Sequence, residues 1–500
     1  MIADSGVARD RLPATGVIGL CALIVVAEGY DLIMYGAMLP ALLDETGWGI
    51  TKSTAGTVGS MVYVGMTAGA LTGGRLADRF GRRRPLLVAV GWFTGWTAAC
   101  ALAGSAAQLG AFRLLAGIGM GAAAAVALAL AKEYTAPGRT SLTVTVLMAG
   151  IPIGGITSAL AGLILLSEHG WRPLCWIGAI GSALVLLIAI VLLPESREFA
   201  RTRSPSRVRE LFAAPRGPMT ILFAVAAFAE LLTWYGLNTW ITTLMRELRY
   251  PMTSALQFSL TLNSGAVIGS FALAAAAVRW GARPVASVSA CVAAAMIAAC
   301  ATGLSDRLLL LAVIAVLGAA AHSTLNLINA AVADAYPAEL RGSALGWSNG
   351  VGRLGAVAAP TLGGWVLAAT GPLQVFQTFI LTSVCGARGG GGRAPPAPAR
   401  PPGPGRSAGG WRYEHATASR VGRTAVGAAR PTLPARPTAH LTPAAVAASR
   451  GCGASGRHRD GVGRPAACGQ RREDRCRPAR LDVPTGRHPL PSRGCRRVTG

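Results

Sequence analysis

Gly73-Gly74-Arg75-Leu76-Ala77-Asp78-Arg79-Phe80-Gly81-Arg82-Arg83-Arg84 decides how this chain is read. An apolar run, 58–71, precedes the stretch and another, 85–103, follows it. A short, densely cationic hairpin between two such segments belongs on the cytoplasmic side of a membrane, where Lys and Arg accumulate. Its glycines, single acid and arginines also fall at a defined spacing, G-x-L-A-D-R-x-G-R-R-R, which a merely solvated basic loop does not require.

Composition agrees. The 500 residues are 52% hydrophobic and 14% charged, with a mean hydropathy of +0.46, whereas a soluble domain carries roughly 25% charged residues. The net charge of +25 misleads, because residues 386–500 hold 22 arginines against five acidic residues. No cleavable signal peptide is expected, since the first apolar run continues past signal length. Cys21, Cys100, Cys175, Cys291, Cys300 and Cys385 stand singly in apolar segments, and Cys452, Cys468, Cys476 and Cys495 have no ligand spacing. All ten read as non-metal cysteines. No metal set, catalytic triad or Walker-type phosphate loop occurs, so neither an enzyme nor a cofactor is expected.

A span needs about 20 apolar residues. Apolar runs broken by Gly, Pro and charge predict spans at 16–40, 54–75, 84–103, 107–131, 141–166, 171–193, 217–243, 256–279, 284–303, 307–333 and 344–369. A twelfth begins at Leu373 and stops near Cys385. The expected fold is an all-α polytopic membrane protein. It has an N-terminal six-helix half (1–193), a basic cytoplasmic linker (194–216), a C-terminal half (217–385) whose last helix is cut short, and a tail (386–500). With the N-terminus in the cytoplasm, the inner loops up to residue 385 collect 18 basic residues and the outer loops five. The opposite orientation would reverse that bias. Ala277-Val278-Arg279-Trp280-Gly281-Ala282-Arg283 looks like an eroded copy of the opening loop, its acid gone.

The tail contains no Ile, Phe, Met, Asn or Lys and is rich in Ala, Gly, Pro and Arg, so it cannot bury a core. It is either a genuine basic tail for nucleic acid or anionic lipid or translation out of frame in a GC-rich gene. The switch falls inside a half-finished span, which favours the second reading and leaves no nucleic-acid partner expected.

Within the spans, Glu28 and Asp31 sit at i and i+3, on one helix face and near mid-depth. Charges so placed normally face a cavity or a partner. Burial and mutual repulsion favour holding a proton between them, as a coupling group must. Arg113, also inside a span, stays charged and needs an anion, either these carboxylates or a substrate's. Arg353 is embedded in the same way. Trp234, Tyr235 and Asn238 suit a flat ring with polar substituents, or else an interfacial aromatic belt. His322, Asn326 and Asn329 lie within two helical turns, either as a cavity-facing stripe or as structural hydrogen-bonding groups.

The opening loop resembles the signature loop of the major facilitator superfamily. Glu28-Gly29-Tyr30-Asp31-Leu32, with Gly36 and Leu39-Pro40, resembles the D-G-F/Y-D opening of its aromatic acid:proton symporter family, with Glu at the first acidic position. Arg113, Gly117, Gly119 and Gly121 with Glu133-Tyr134, and Tyr336-Pro337 with Arg341 and Gly350, Arg353 and Gly355, resemble further motifs of that family. The resemblance implies two six-helix halves around a central site and proton-coupled import of a small aromatic carboxylate such as a hydroxybenzoate. The same motifs leave open a facilitator for a sugar acid, another metabolite or a drug, or an inactive frameshifted product. The resemblance also implies that Glu28 and Asp31 carry the proton and that Arg113, Trp234, Tyr235, Asn238, His322, Asn326 and Arg353 bind substrate. Asp78, Arg79, Arg82, Glu133 and Arg341 would form a cytoplasmic gate, with Asp78 at a helix N-terminus and Arg82 meeting Glu133. The expected partners are the aromatic acid, protons and the lipid bilayer. The expected state is a monomer in a bacterial inner membrane.

Overall fold

The computed structural model describes residues 12–195 and 208–391. Most of the basic linker, with Arg197, Arg201, Arg203 and Arg207, and the tail from residue 392 onward lie outside the described residues. Thirteen helices make up the described part. They are α1 (Ala14–Leu43), α2 (Lys52–Phe80), α3 (Arg83–Ala101), α4 (Ala106–Glu133), α5 (Thr140–His169) and α6 (Arg172–Leu192), then a single turn, α7 (Val208–Leu211). α8 (Gly217–Glu247), α9 (Met252–Trp280), α10 (Ala282–Ala301), α11 (Arg307–Ala335), α12 (Ala338–Ala369) and α13 (Pro372–Gly391) follow. Nine of the described helices are long and apolar enough to cross a membrane.

Local chemistry sets the ends. Thr51 caps α2 by accepting from the Thr54 amide at 3.1 Å. Ser105 caps α4 through the Gln108 amide while the Gln108 side chain accepts from Gly104, which satisfies two orphan donors reciprocally. Asp306 accepts from Leu308 and Leu309 at the start of α11. α2 and α9 both stop at a glycine of positive φ, Gly81 at 83° and Gly281 at 89°, a conformation that costs a residue with a Cβ.

Those two glycines belong to a repeat with a register of 200 residues. Arg79 stacks over Phe80 at 5.2 Å, and Arg279 over Trp280 at 5.7 Å. On α2, a Cβ at Gly65 or Gly69 would strike the backbone of Leu114 or Ile118 in α4. On α9, a Cβ at Gly265 or Gly269 would strike Ala315 or Ala319 in α11. Both are small-xxx-small crossings, the device that lets membrane helices approach closely. Helix pairing repeats in step. α1 packs on α5, α2 on α4, and α3 on α4 and α6; correspondingly α8 packs on α12, α9 on α11, and α10 on α11 and α13. The two sets meet through α1 against α8, α2 against α12 and α5 against α9.

The molecule is apolar outside and polar inside. Ile164, Leu187, Val191 and Ile268 are exposed, whereas Glu28, Asp31, Arg113, Glu230, Asn238, Asn263 and His322 are buried. That inversion suits a lipid exterior and a polar central site. α13 departs from expectation in length. Its helix continues through Gly386 and Arg388 to Gly391, past the end of the apolar stretch at Cys385, and α10 holds it there through Ser287 Oγ, which donates to the Ala387 carbonyl at 2.9 Å.

Candidate functional site

α1 brings both of its acids into the interior, but to different partners. Asp31 is 3% exposed. Its Oδ2 accepts from the Thr97 hydroxyl of α3, and Arg113 Nη1 of α4 lies 3.7 Å from its Oδ1. The guanidinium is centred 4.5 Å from the Tyr35 ring, a cation–π contact, and the Tyr35 hydroxyl donates to the Ala55 carbonyl at 2.6 Å. Of the two anions open to Arg113, the structure supplies Asp31. The separation is that of a charge pair and is too long for a hydrogen bond, so Arg113 Nε and Nη1 keep unused donors among the described residues. Glu28, 2% exposed, has no hydrogen-bond partner for Oε2 among the described residues. The charges acting on it are Arg353 of α12 and Asp31, so its electrostatic environment spans both helix sets.

The facing wall comes from α8, α9 and α11. Trp234 and Tyr235 are consecutive and point about 100° apart, as helix geometry requires. Trp234 meets the His322 ring at 4.6 Å, and Tyr235 meets Tyr63 of α2 at 4.7 Å. Tyr235 also feels the charges of Glu28 and Arg353. Asn238 donates to the Trp234 carbonyl at 3.0 Å and accepts from Asn263 Nδ2 at 3.1 Å. Trp234 Nε1, His322 Nε2, Asn326 Nδ2 and Asn263 Oδ1 are buried without partners among the described residues. Asn329 is engaged elsewhere, accepting from Asn349 at 2.9 Å. Arg353 is half-buried, less embedded than its sequence position suggests.

Two interior residues escaped the sequence reading. Asn263 is fully buried and lies against α5, where a Cβ on Gly155 would strike its amide. Glu230, on α8, is a fully buried carboxylate. Glu230 is the one charged residue between Arg216 and Arg246, and Asn263 is an amide among the small hydroxyls of α9; an ionisable or amide side chain within a span was the available signal.

At the other end of α2, Arg82 Nη1 pairs with Glu133 Oε1 at 2.6 Å. Asp78 is not at a helix N-terminus. It sits exposed in the last turn of α2, where a carboxylate opposes the helix dipole. Glu195 takes the expected place instead, its Oε1 accepting from the Arg82 and Arg83 amides at 3.1 Å each at the start of α3. Arg83 reaches back to the carbonyls of Leu193 and Ile190 at 2.7 and 2.6 Å, which ties the end of α6 to the loop. Arg79 lies over Phe80, and Arg341 is exposed in the first turn of α12.

Near the end where α1 finishes, polar contacts join the two helix sets. Lys52 pairs with Glu247 at 2.6 Å and Asp44 with Arg246 at 3.2 Å. Ser60 of α2 and Thr361 of α12 share a 2.7 Å hydrogen bond, and within the second set Trp240 Nε1 of α8 donates to the Pro360 carbonyl of α12 at 3.1 Å.

Comparison with known proteins agrees with the helical architecture. The profile described as Major Facilitator Superfamily matches residues 21–276 and 225–418. The chain is 38% identical over 394 residues to the gentisate transporter of Corynebacterium glutamicum, covering 75% of this chain and 85% of that protein. It is 30% identical over 408 residues to the benzoate transport protein of Acinetobacter baylyi, covering 74% and 86%. Against the 4-hydroxybenzoate transporter PcaK of Pseudomonas putida it is 30% identical over 383 residues, covering 70% and 84%. Among solved structures, the D-xylose-proton symporter superposes with a TM-score of 0.64 at 17% identity, covering 74% of this chain and 96% of that one. A bacterial homolog of the human lysosomal transporter Spinster, in an inward-facing and occupied conformation, gives 0.58 at 16%, covering 75% and 95%. At those identities the likeness is one of fold.

Proposed function

The chain belongs to the major facilitator superfamily, and from that premise we propose that it is a secondary active transporter importing a small aromatic carboxylate together with protons. The observation that carries this reading is the opposition of two walls. One holds Glu28, Asp31 and Arg113 in the interior; the other presents Trp234, Tyr235, His322 and Asn238. Rings on one side and the Arg113 guanidinium on the other suit a flat anion. The relatives that transport gentisate, benzoate and 4-hydroxybenzoate support the same substrate class.

In this mechanism the substrate carboxylate takes the unused donors of Arg113 or the charge of Arg353. The ring lies between Tyr63–Tyr235 and Trp234–His322. A substrate anion at Arg113 competes with Asp31 for one cation, so binding of the anion favours protonation of the carboxylate it displaces. Glu28, joined electrostatically to Arg353, links the same exchange to the second helix set. Alternating access follows from rocking of one set against the other. The contacts Lys52–Glu247 and Asp44–Arg246 would close the outer side, and Arg82–Glu133 with Glu195 would brace the cytoplasmic side of the first set. The arginine distribution supports an N-terminus in the cytoplasm, and the bacterial relatives support a bacterial inner membrane as its site.

The test is uptake into vesicles containing the full chain, using labelled gentisate, benzoate and 4-hydroxybenzoate beside a sugar acid under an imposed proton gradient. Accumulation of an aromatic acid, collapsed by a protonophore, is expected. Accumulation of the sugar acid alone would give the site a different cargo.

A further inference from the structure

α8 carries a carboxylate that the transport site leaves unused. Glu230 is 0% exposed, and neither of its oxygens has a hydrogen-bond partner among the described residues. Its face of the helix packs against α13 in regular register. Gly236 lies under the Phe379 ring, Thr233 and Thr382 share a 2.7 Å hydrogen bond, and one turn further Glu230 approaches Gly386, where an added Cβ would stand 3.0 Å from its Oε2. Ser383, on the same stretch of α13, is fully buried with an unpartnered hydroxyl.

Among the described residues no counter-charge serves this carboxyl. The helices packed on α8 are α1, α9, α11, α12 and α13. α1 carries Glu28 and Asp31, and α9 carries Arg279. α11 brings Arg307, His322 and Asp334. α12 brings Glu339, Arg341 and Arg353, and α13 brings Arg388 and the thiol of Cys385. None of these acts on Glu230, whose surroundings are set by burial alone. An ionised carboxylate without cation or donor is among the costliest groups for a membrane interior. The neutral acid instead suits a seam of hydroxyls, because it both donates and accepts.

We propose that Glu230 is a second proton-binding site of the transport cycle, separate from the Glu28–Asp31 pair. It holds its proton in the conformation described here. It releases that proton to water when the α8–α13 seam opens, leaving a hydrated carboxylate. α8 also presents Trp234, Tyr235 and Asn238, one and two turns along, so movement of this helix changes the substrate wall and the proton site together. The inference rests on the proton-coupled reading above.

The first measurement needs no substrate. Infrared spectra of the full chain in lipid vesicles are taken at neutral pH for wild type and Glu230→Gln. A carboxylic-acid carbonyl band present in wild type and lost in the variant is expected; identical bands would overturn the proposal. The second measurement is the pH profile of labelled gentisate uptake. Glu230→Gln is expected to lose a titration step, with the midpoint moved by at least a tenfold change in proton concentration. A wild-type profile in the variant would show a carboxyl with no part in transport and would overturn this proposal alone. Gentisate uptake by wild type with no proton movement would overturn the coupled reading as well. Should Glu230→Gln fail to insert, Glu230→Asp keeps a carboxyl one methylene shorter; its band and profile must shift, and unshifted values count against the proposal.

Discussion

Arg113 Nη1 lies 3.7 Å from Asp31 Oδ1, while Thr97 holds the other oxygen of the same carboxylate. The pair is buried on both sides and incompletely hydrogen-bonded, so its two members have different consequences when removed. Asp31→Asn leaves a buried guanidinium without its anion, a change worth about 3–5 kcal/mol of stability. The expected result is a clear fall in thermal stability in detergent, partly recovered by adding Arg113→Gln. Wild-type stability in Asp31→Asn would dissolve the pairing. Arg113→Lys keeps the charge and loses the planar fork, so a large loss of gentisate uptake is expected, with a smaller one in Arg353→Lys.

Glu28 presents the contrasting case. Its Oε2 has no hydrogen-bond partner among the described residues, and the cation acting on it, Arg353, is half-buried and lies in the other helix set. Glu28→Gln strands no fully buried charge, so a stability change of about 1 kcal/mol or less is expected. Accumulation against a gradient should nevertheless disappear, with exchange of internal for external substrate persisting. Normal pH-dependent accumulation in this variant would remove Glu28 from the coupling.

The basic loop separates two carboxylates that sequence alone confuses. Glu195 caps α3 through two amides, and capping losses run about 0.5–2 kcal/mol. Asp78 is exposed in the last turn of α2. Glu195→Ala is therefore expected to lower thermal stability. Asp78→Asn should change it by less than about 0.5 kcal/mol while slowing transport at unchanged substrate affinity. The reverse order of stabilities would restore Asp78 to the capping position.

α13 sets where the chain can be shortened. Residues 386–391 are helical, and Ser287 donates to Ala387. Truncation after Gly391 is expected to leave thermal stability unchanged, whereas truncation after Cys385 removes that contact and the turn beside Glu230 and should lower it. Transport present in the full chain and absent after cutting at Gly391 would make the tail a working element and contradict an out-of-frame origin.

Much of this was legible in the residues, for identifiable reasons. Helix positions follow from apolar runs and glycine stops such as Gly81 and Gly281, which survive any packing arrangement. Arg82 with Glu133 could be paired because both carry motif spacing. The repeat looked eroded because charges were compared. It is carried by small residues, Gly65 and Gly69 against Gly265 and Gly269, whose role shows only once α4 and α11 lie on them. Asn263 and Glu230 have no charged neighbour at helical spacing, only Ser259 and Thr233, which helices tolerate without a site; their significance comes from α5 and α13, which sequence does not bring near. Asp78 ends α2 rather than beginning α3, a choice that a loop motif does not fix.

Proton-driven accumulation of an aromatic acid by the full chain tests the account most directly. Vesicles containing the protein, alkaline inside, are given labelled gentisate, and internal label and internal pH are followed together. The account predicts that gentisate concentrates inside while protons enter, and that Glu28→Gln abolishes both. Gentisate equilibrating without concentrating, or concentrating with no proton entry, would contradict it.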